Sequence, residues 1–295
     1  MSFDLYQTVT DKVIAQMETA GTNWTNPFNK GRNNLRPYNA TTGKNYRGIN
    51  TVLLNFTPFQ SSAWASFKQW QAANCSVRKG EKSSIVVFFS KIEKQDKATG
   101  EKSSFAMLKY FNVFNADQVD GALADRCKGI DTAKPNEVET IERAETWAAA
   151  TGASIEHLRA GKACYIPSLD KIQMPEKELF TATATSTATE CYYSTLAHEL
   201  VHWTKHPSRK NRKQSDGFGT HAYAFEELVA ELGAAFCCAH LGISNEPRVD
   251  HAQYLNNWLQ VLKNDRKAIF KAASLAREAA EYLCGTQAEA VDEAA

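Results

Sequence analysis

The sequence predicts an α+β protein in which an N-terminal α/β domain is followed by a mostly helical C-terminal domain. Three observations support this: the length of 295 residues, an uneven distribution of charge, and the order of helical and strand-like periodicities along the chain. A chain of this length exceeds the usual domain size of about 100–150 residues. We therefore expect two domains, residues 1–130 and 137–290.

The overall net charge of +1 conceals a division between the two parts of the chain. Residues 1–113 contain 15 Lys and Arg against 7 Asp and Glu, whereas the remainder contains 19 basic and 26 acidic residues. Within residues 19–91 there are ten basic residues and one acid, Glu81. This asymmetry indicates two domains with different partners and favours nucleic acid as the partner of the basic one.

The N-terminal part is expected to begin with a helix, because apolar residues from Leu5 to Met17 recur at helical spacing. Gly21 is a suitable end for that helix. Farther on, Gly43 and Gly48 indicate a tight backbone path. The other expected elements are a helix over residues 64–70, strands over 85–90 and 105–114 joined by a charged loop at 93–102, and a connector over 117–136.

Helical periodicity dominates the C-terminal part, and two short strand-like runs interrupt it. The expected elements are helices over residues 137–150, 190–204 and 223–241, strands over 163–167 and 171–175, a basic loop over 205–220, further helices between 249 and 283, and a frayed tail over 284–295.

The stretch from His198 to His202 matches the pattern H-E-x-x-H. Residues four apart lie on one face of a helix, so His198 and His202 can direct their imidazoles at a single Zn²⁺ ion. Glu199 can reach a water at that metal and take its proton, which is the role of a catalytic base. Two histidines do not complete a catalytic zinc site, so a third protein ligand is required.

The third ligand is expected from the apolar helix over residues 223–241, because acids inside such a helix are costly unless they bind something. Glu227 and Glu231 share one face of it. We assign Glu227 as the third ligand and Glu231 as a carboxylate that orients a ligand histidine. Glu226, one position earlier, is the alternative ligand.

Other candidates near the motif are weaker. A histidine third ligand in the pattern H-x-x-G-x-x-H would need glycine and histidine where the chain has Lys205 and Ser208. His206 and His221 remain as alternatives. Tyr223 or His221 could stabilise the oxyanion of a tetrahedral intermediate, and a merely packed Tyr223 is the competing interpretation.

The basic N-terminal part interleaves aromatic and cationic residues, as proteins that bind single-stranded nucleic acid do. Several of the aromatics, namely Phe67, Trp70, Phe88 and Phe89, are expected in the core. Binding is expected to be non-specific, through phosphates and base stacking, and to weaken with salt. The residues expected to contact single-stranded DNA are Arg32, Asn39, Tyr46, Arg47, Lys68, Arg78, Lys79 and Lys82.

Several classes of protein are disfavoured. The N-terminus lacks a basic region followed by an apolar run, so no signal peptide is expected. The most apolar segment, residues 228–243, is too short to span a bilayer, so no membrane partner is expected. The seven cysteines are scattered, without a C-x-x-C pair, which disfavours a disulfide framework or a cysteine zinc site. A cytoplasmic setting fits best.

Both parts of the chain resemble one family, the ArdC-type plasmid antirestriction proteins, and the N-terminal part is also similar to a region of TraC-type conjugative primases. The N-terminal resemblance rests on three runs, and the C-terminal one on two. These runs are Tyr46-Arg47-Gly48-Ile49-Asn50, Trp64 with Phe67-Lys68-Gln69, Arg78-Lys79-Gly80-Glu81-Lys82, residues 196–202 and residues 223–232.

The resemblance implies an N-terminal single-stranded-DNA-binding domain and a C-terminal zincin-like metallopeptidase domain, with the spacing of Glu227 and Glu231 similar to that of gluzincins. It also implies protection of incoming plasmid DNA from host restriction during conjugation. The substrate would be a protein whose identity the sequence does not reveal. The alternative is a DNA-binding antirestriction protein whose metal is structural and which cleaves nothing.

Overall fold

A computed structural model describes residues 4–20, 36–95, 102–130, 137–159, 162–182, 186–212, 220–243 and 251–285, and it confirms the predicted α+β class. The helices in these ranges are α1 (Leu5–Ala20), α2 (Ile49–Asn55), α3 (Phe67–Ala72), α4 (Ala122–Ile130), α5 (Glu137–Ala150), α6 (Ala188–Trp203), α7 (His221–Leu241), α8 (His251–Asn264) and α9 (Ala268–Leu283). The strands are β1 (Tyr38–Asn39), β2 (Ala63–Ser66), β3 (Ser76–Val77), β4 (Ser84–Gln95), β5 (Lys102–Asn115), β6 (Val119–Asp120), β7 (Ser154–Leu158), β8 (Cys164–Ile166) and β9 (Lys171–Pro175).

The N-terminal sheet has the strand order β1-β2-β5-β4. Strands β4 and β5 form the predicted antiparallel hairpin, which is longer than expected because the ladder continues from Ser84↔Val113 as far as Gln95↔Lys102. Strand β2 pairs antiparallel with β5 and parallel with β1. Strand β4 is therefore an edge of this sheet.

The prediction of a helix over residues 64–70 is wrong in its first half, because Trp64 lies in strand β2. Helix α3 begins only after Ser66, whose hydroxyl accepts from the Gln69 amide at 3.3 Å. The Gln69 side chain in turn accepts from the Ser66 amide at 2.9 Å. This capping box fixes the start of the helix, and Trp64 packs into the core from the strand.

The predicted connector over residues 117–136 is wrong in its first half, which contains β6 and α4. Strand β6 pairs with β3 through Ser76↔Asp120. From α4, Ala124 and Cys127 pack into a small buried cluster with Trp70. These two residues form too short an apolar stripe to be recognised in the sequence, and residues 131–136 lie outside the described ranges.

The run from Tyr46 to Asn50 docks helix α2 onto the edge strand β4. The Asn50 side-chain amide donates to the Val87 carbonyl at 2.8 Å, and its side-chain oxygen accepts from the Val87 N–H at 2.7 Å. Asn50 therefore forms the hydrogen bonds that a further strand would form at the edge of β4. Gly48 has a φ of +55°, which favours glycine there. This motif therefore has a structural role in addition to any binding role.

The C-terminal part has a small sheet of strand order β7-β9-β8 beside its helices. Strands β8 and β9 are the two predicted strands and pair antiparallel. Strand β7 was absent from the prediction and pairs parallel with β9. Its side chains are partly exposed, so the sequence there lacks a clear alternation of apolar and polar residues.

The largest buried cluster contains residues from both parts of the chain. Leu5, Val9, Val13 and Met17 of α1 belong to the same cluster as the C-terminal helices. The Thr10 hydroxyl of α1 donates to the carbonyl of Arg266, before α9, at 2.7 Å. The two-domain division at residues 1–130 and 137–290 stays a prediction, and the two parts share apolar contacts across it.

Helices α6 and α7 approach closely at Gly233. A Cβ placed on Gly233 would lie 2.7 and 2.9 Å from the two methyl carbons of Val201, which is shorter than real contacts allow. Val201 precedes His202, and Gly233 follows Glu231 by two residues. The absence of a side chain at Gly233 thus sets the spacing between the two helices.

We expect Gly233→Ala to lower the free energy of unfolding, because overpacking against Val201 costs about 1–3 kcal/mol. Alanine is favoured over glycine in a helix interior by about 1 kcal/mol, so the net loss should be at most about 2 kcal/mol. Urea titration of the variant beside wild type measures the change. The control is a Val201→Ala/Gly233→Ala double variant, in which Gly233→Ala should cost less stability than it does in wild type, because the two methyl groups of Val201 are gone. Stabilisation by Gly233→Ala alone would contradict the close packing.

Candidate functional site

Two well-defined helices carry the H-E-x-x-H motif and the glutamate run. Helix α6 begins with a capping box in which Thr187 and Glu190 satisfy each other's backbone amides, at 3.2 and 2.9 Å. Helix α7 is capped by the Thr220 hydroxyl, and it ends at Gly242 with a φ of 70°. Because almost every residue of both helices near the motif is buried, their polar side chains must find partners within the protein.

The structure brings His198, His202 and Glu227 together so that one ligand atom of each lies within 4.8 Å of the others. The Nε2 atoms of the two histidines are 3.1 Å apart. The Glu227 carboxylate lies 3.4 Å from His198 Nε2 and 3.4 Å from His202 Nε2. Two imidazoles and one carboxylate facing a common point form a donor set that fits a divalent transition metal such as Zn²⁺.

Each histidine has a second carboxylate at its outer nitrogen. Glu231 Oε1 lies 3.1 Å from His198 Nδ1, and Glu226 Oε1 lies 3.3 Å from His202 Nδ1. Such carboxylates fix the tautomer and orientation of metal-binding histidines. Glu226, the alternative third ligand from the sequence, thus lies behind His202, whereas Glu227 faces both Nε2 atoms.

Arg212 holds Glu226 in place, a role that no sequence pattern indicates. Its guanidinium donates to both Glu226 oxygens, at 2.8 and 3.2 Å, and is itself buried. It also donates to the Thr204 hydroxyl and the Val201 carbonyl at the end of α6, at 2.6 and 2.7 Å. One side chain therefore ties the end of α6 to the start of α7.

Contacts between these groups outweigh the effect of burial on their pKa values. Burial raises the pKa of Glu226, but hydrogen bonds with His202 and Arg212 bring it to about 2. Burial also raises the pKa of Glu227, yet the two histidines hold it far below its usual range. Burial lowers the pKa of His202, whereas Glu227 and Glu226 leave it raised. Glu227 is therefore ionised at neutral pH, as a metal ligand must be.

Glu199 is buried and anchored to the edge of the small sheet. Its Oε2 atom accepts a hydrogen bond from the Tyr165 N–H of β8 at 2.9 Å. The Tyr165 ring is held in turn, because its hydroxyl donates to Asp170 at 2.9 Å. This contact fixes the orientation of the carboxylate that is predicted to act as a base. No sequence pattern indicates the contact between Glu199 and Tyr165.

The weaker candidates lie at the ends of the two helices. Tyr223 is half-buried in the first turn of α7, four residues before Glu227, so it shares the face of the ligand candidate. His221 is the exposed first residue of that helix. His206 follows α6 and accepts from the Ser208 amide at 3.2 Å through Nδ1.

Three residues predicted to contact DNA have contacts within the fold. The Asn39 side chain accepts from the Thr41 amide at 3.0 Å and donates to Gln69 at 3.2 Å. Tyr46 packs beside the cluster of Trp64, and burial raises the pKa of its hydroxyl. The Arg78 guanidinium donates to Asp120 and Glu81, at 3.2 and 3.1 Å.

The other predicted DNA contacts divide into two groups. The exposed residues are Arg47, Lys68, Lys79 and Lys82. Arg32 lies outside the described residues. The exposed cations lie on the loop before α2, on α3 and on the turn before β4, so they are distributed around the N-terminal part.

Two aromatics expected in the core are exposed instead. Phe67 is 51% and Phe89 is 48% exposed, whereas Trp70 is fully buried as predicted and Phe88 is half-buried. The pattern of apolar residues in a strand does not reveal which faces of a sheet are covered, and this explains the error for Phe89.

The β4–β5 hairpin carries an aromatic and basic surface that no sequence pattern indicated. Phe111 is 46% exposed, and its ring centroid lies 6.4 Å from that of Phe88. Lys109 is exposed and stands opposite Phe88 in the ladder, on the same face of the sheet. Phe89 lies on the opposite face, against Phe270 at 6.2 Å.

Within the part of the chain that the structure describes, no helix is both long enough and apolar enough to cross a bilayer.

Two family models match the chain in the order that the resemblance implied. The model for the N-terminal domain of the anti-restriction factor ArdC matches residues 3–114. The model for a zincin-like metallopeptidase matches residues 142–275. The gap between the two matches includes the segment where the sequence places the domain boundary.

Relatives cover almost the whole chain. The uncharacterised protein y4eC of Sinorhizobium fredii (strain NBRC 101917 / NGR234) is 34% identical over 299 residues, which span 97% of this chain and 94% of that protein. A DNA primase TraC of Escherichia coli is 33% identical over 300 residues, 98% of this chain but 20% of the primase. The similarity to TraC thus concerns a minor portion of a much larger protein.

Crystal structures of the antirestriction protein ArdC from plasmid R388 are similar to this fold. The metal-free structure is 40% identical with a TM-score of 0.77, and the Mn(II)-bound structure is 38% identical with a TM-score of 0.72. In both, the match covers 95% of this chain and 97% of the ArdC chain. The chain belongs to the ArdC antirestriction family and combines its N-terminal domain with a zincin-like metallopeptidase domain.

Proposed function

We propose that this protein binds single-stranded DNA through its N-terminal part and carries a catalytic zinc metallopeptidase centre, which together protect incoming plasmid DNA from restriction. The observation that carries the proposal is the convergence of His198, His202 and Glu227 from two helices. Family membership supports the antirestriction role. The proposed setting is cytoplasmic, where conjugating DNA would meet host nucleases.

One Zn²⁺ ion is the proposed cofactor, held by His198, His202 and Glu227. The ArdC of plasmid R388 binds Mn(II), and nitrogen and oxygen donors also accept other divalent ions, with affinities that generally rise from manganese towards copper. Zinc is favoured because two histidines and one glutamate, with a fourth position for water, are a common catalytic zinc set.

The residues around the centre have distinct proposed roles. A bound metal would supply Lewis acidity toward a peptide carbonyl and acidify a water molecule. Glu199 would accept the proton of the attacking water and pass it to the leaving amine. Tyr223 would donate to the developing oxyanion from the face that it shares with Glu227.

The outer carboxylates would keep the centre rigid. Glu231 and Glu226 hold the outer nitrogens of His198 and His202, and Arg212 fixes Glu226. Orientation by such groups affects metal affinity by about 10–100-fold in known sites. The proposed centre therefore includes residues beyond the three ligands.

Single-stranded DNA is proposed to bind the hairpin face that carries Phe111, Phe88 and Lys109, together with exposed cations nearby. Stacking on an aromatic face tolerates any base, and lysines neutralise phosphates. The excess of basic over acidic residues in this part of the chain supports the proposal. Of the predicted contacts, Arg47, Lys68, Lys79 and Lys82 are exposed and remain proposed phosphate contacts.

The alternative function is DNA binding with a structural metal and no cleavage. One observation favours it: Glu199 is only 2% exposed and its carboxylate accepts from the backbone of β8. A glutamate in that position could join α6 to the sheet without taking part in chemistry. A variant in which Glu199 is no longer basic distinguishes the two functions, because it would lose peptide cleavage under the first and keep DNA protection under the second.

Glu227→Gln is expected to abolish stoichiometric metal binding, because it removes the charged ligand and leaves two histidines. Elemental analysis after exhaustive dialysis measures the metal content. Glu226→Gln is the matched control, since it is adjacent and similarly buried, and it should still bind metal with an affinity about 10–100-fold weaker. If Glu226→Gln lost the metal and Glu227→Gln kept it, Glu226 would be the ligand instead.

Glu199→Gln is expected to keep the metal and to lower peptide cleavage by about 10²–10⁴-fold, the usual contribution of a general base. Cleavage is measured on a tryptic peptide library, and protection is measured as plasmid transfer into a restricting host. Glu190→Gln, at a half-buried position in the first turn of the same helix, is the control because glutamine also completes a capping box. If Glu199→Gln cleaved peptides as fast as wild type, Glu199 would not be the catalytic base. If Glu199→Gln protected plasmid transfer as well as wild type does, the alternative function would be favoured.

Phe111→Ala is expected to weaken binding of oligothymidine about tenfold or more, since a stacked base contributes about 1–3 kcal/mol. Phe89→Ala is the matched control, with similar exposure on the other face of the hairpin. Fluorescence anisotropy at increasing salt measures affinity, which should fall with salt. Equal losses in both variants, preference for duplex or salt-independent binding would each contradict the proposed surface.

A further inference from the structure

A cavity of about 690 Å³ lies where the ends of helices α7 and α9 meet helix α5. One face of α5, from Glu142 to Thr151, forms a wall of it. The end of α9 contributes the residues from Tyr282 to Gly285. Among these, Cys284 packs against the core, so the expectation of a frayed tail from residue 284 onward is wrong at Cys284. The volume falls in the range of about 300–1,000 Å³ that is typical of pockets for small organic molecules.

The inner surface of the cavity is apolar and contains one unpaired donor. Trp147, Leu241 and Leu283 line the cavity and are at most 7% exposed. The indole N–H of Trp147 is buried and has no hydrogen-bond partner among the described residues. Because nearly all buried donors in proteins are paired, this one points to an acceptor that the protein itself does not supply. A ligand seated in the cavity would supply it.

The exposed rim of the cavity carries more positive than negative charge. Arg143 lines it from α5, and Glu142 is the one carboxylate among the described lining residues. The Lys210 ammonium lies 5.3 Å from the centroid of the Tyr282 ring, which lines the cavity and is 44% exposed. The part of the chain after residue 113 contains 19 basic and 26 acidic residues. The positive charge at the rim is therefore a local feature of an acidic domain.

His240 lines the cavity from α7 and marks the end where the positive charge is concentrated. Burial lowers the pKa of His240, and the charges of Arg36 and Arg143 lower it further. Arg36 is fixed nearby, because it donates to the carbonyl of Phe236, one turn earlier in α7, at 3.2 Å. Two guanidinium groups thus lie close to a neutral imidazole that keeps one ring N–H to donate. This end of the cavity suits an anionic group.

We propose that the cavity binds a nucleoside monophosphate, a small molecule that combines a planar ring with an anionic group. The ring would lie against Trp147 and Tyr282, and a carbonyl or nitrogen acceptor of the base would meet the indole N–H. The phosphate would lie between Arg143 and His240, since guanidinium groups form strong hydrogen bonds with phosphate. The volume is larger than a single aromatic acid needs, and the Thr146 hydroxyl on the same wall offers a partner to a sugar.

The cavity is separate from the metal centre, and the proposal does not depend on the proposed function. His240 follows Glu231 by nine residues in α7, which is about 13.5 Å along the helix axis. None of the described residues that line the cavity is a candidate metal ligand or the candidate base. Binding in the cavity can therefore be measured without any peptidase activity.

The test measures binding of the four deoxynucleoside 5′-monophosphates to the full-length protein by isothermal titration calorimetry. For the monophosphate that binds best, the nucleoside without phosphate and inorganic phosphate alone should each bind at least about tenfold more weakly, because each lacks one set of contacts. If inorganic phosphate bound as tightly, the site would hold an adventitious ion only and the proposal would be wrong. Absence of binding by all of the monophosphates at millimolar concentration would also overturn it.

Variants locate the binding in the cavity. Arg143→Ala should weaken monophosphate binding about tenfold or more, because it removes charge-assisted hydrogen bonds. Trp147→Phe keeps an aromatic ring and removes the N–H, so it should weaken binding by about two- to tenfold. Arg126→Ala is the matched control, at an exposed arginine of α4 outside the cavity, and it should bind as wild type does. Wild-type affinity in Arg143→Ala would overturn the proposal.

A measurement on the wild-type protein covers the case in which a variant does not fold, which circular dichroism would reveal. Phenylglyoxal modifies accessible arginines, and mass spectrometry of peptides locates the modified side chains. Bound monophosphate should protect Arg143 and leave the modification of Arg126 unchanged. Equal modification of Arg143 with and without the monophosphate would contradict binding in the cavity.

Discussion

The structure of the C-terminal part depends on contacts between the imidazoles of α6 and the carboxylates of α7. Glu226, Glu227 and Glu231 are all buried in one apolar helix. Buried charges are tolerated only when they are paired or bind a metal. His198, His202 and Arg212 provide those partners, and the arrangement makes the helix interface specific, since sliding one helix past the other would leave several charges unpaired at once.

The remaining features of the interface keep this set of contacts in register. Gly233 permits the close approach of the two helices, and Arg212 closes their ends by bonding to both. Tyr165 extends the arrangement to the small sheet through its backbone bond to Glu199. A mechanism that needs three ligands and a base within a few ångströms requires this kind of rigid support, because small displacements of catalytic groups are costly.

The sequence predicts the features of the site that depend on local helix geometry. It does not predict the features that depend on contacts between distant parts of the chain. Helical spacing is enough to place His198 and His202 on one face of their helix, because the period of a helix fixes which residues share a face. It places Glu227 and Glu231 together in the same way, but it left Glu226 open as the alternative third ligand. Arg212 lies in a basic loop, and nothing in its neighbourhood indicates that it will be buried against Glu226. The strand that contains Trp64 likewise becomes evident only through its partners in the sheet, and the exposure of Phe67 depends on which surfaces other elements cover.

The two halves meet through continuous packing, and this bears on how DNA binding and the metal centre could cooperate. Asn50 joins α2 to β4, Gly48 of the same run lies beside α9, and α9 packs in the same core as α7, which carries Glu227. Contiguous contacts alone do not establish energetic coupling, which needs an element with two arrangements. What they do establish is relative position: on the proposed function, DNA held at the hairpin would lie at a defined place relative to the metal centre.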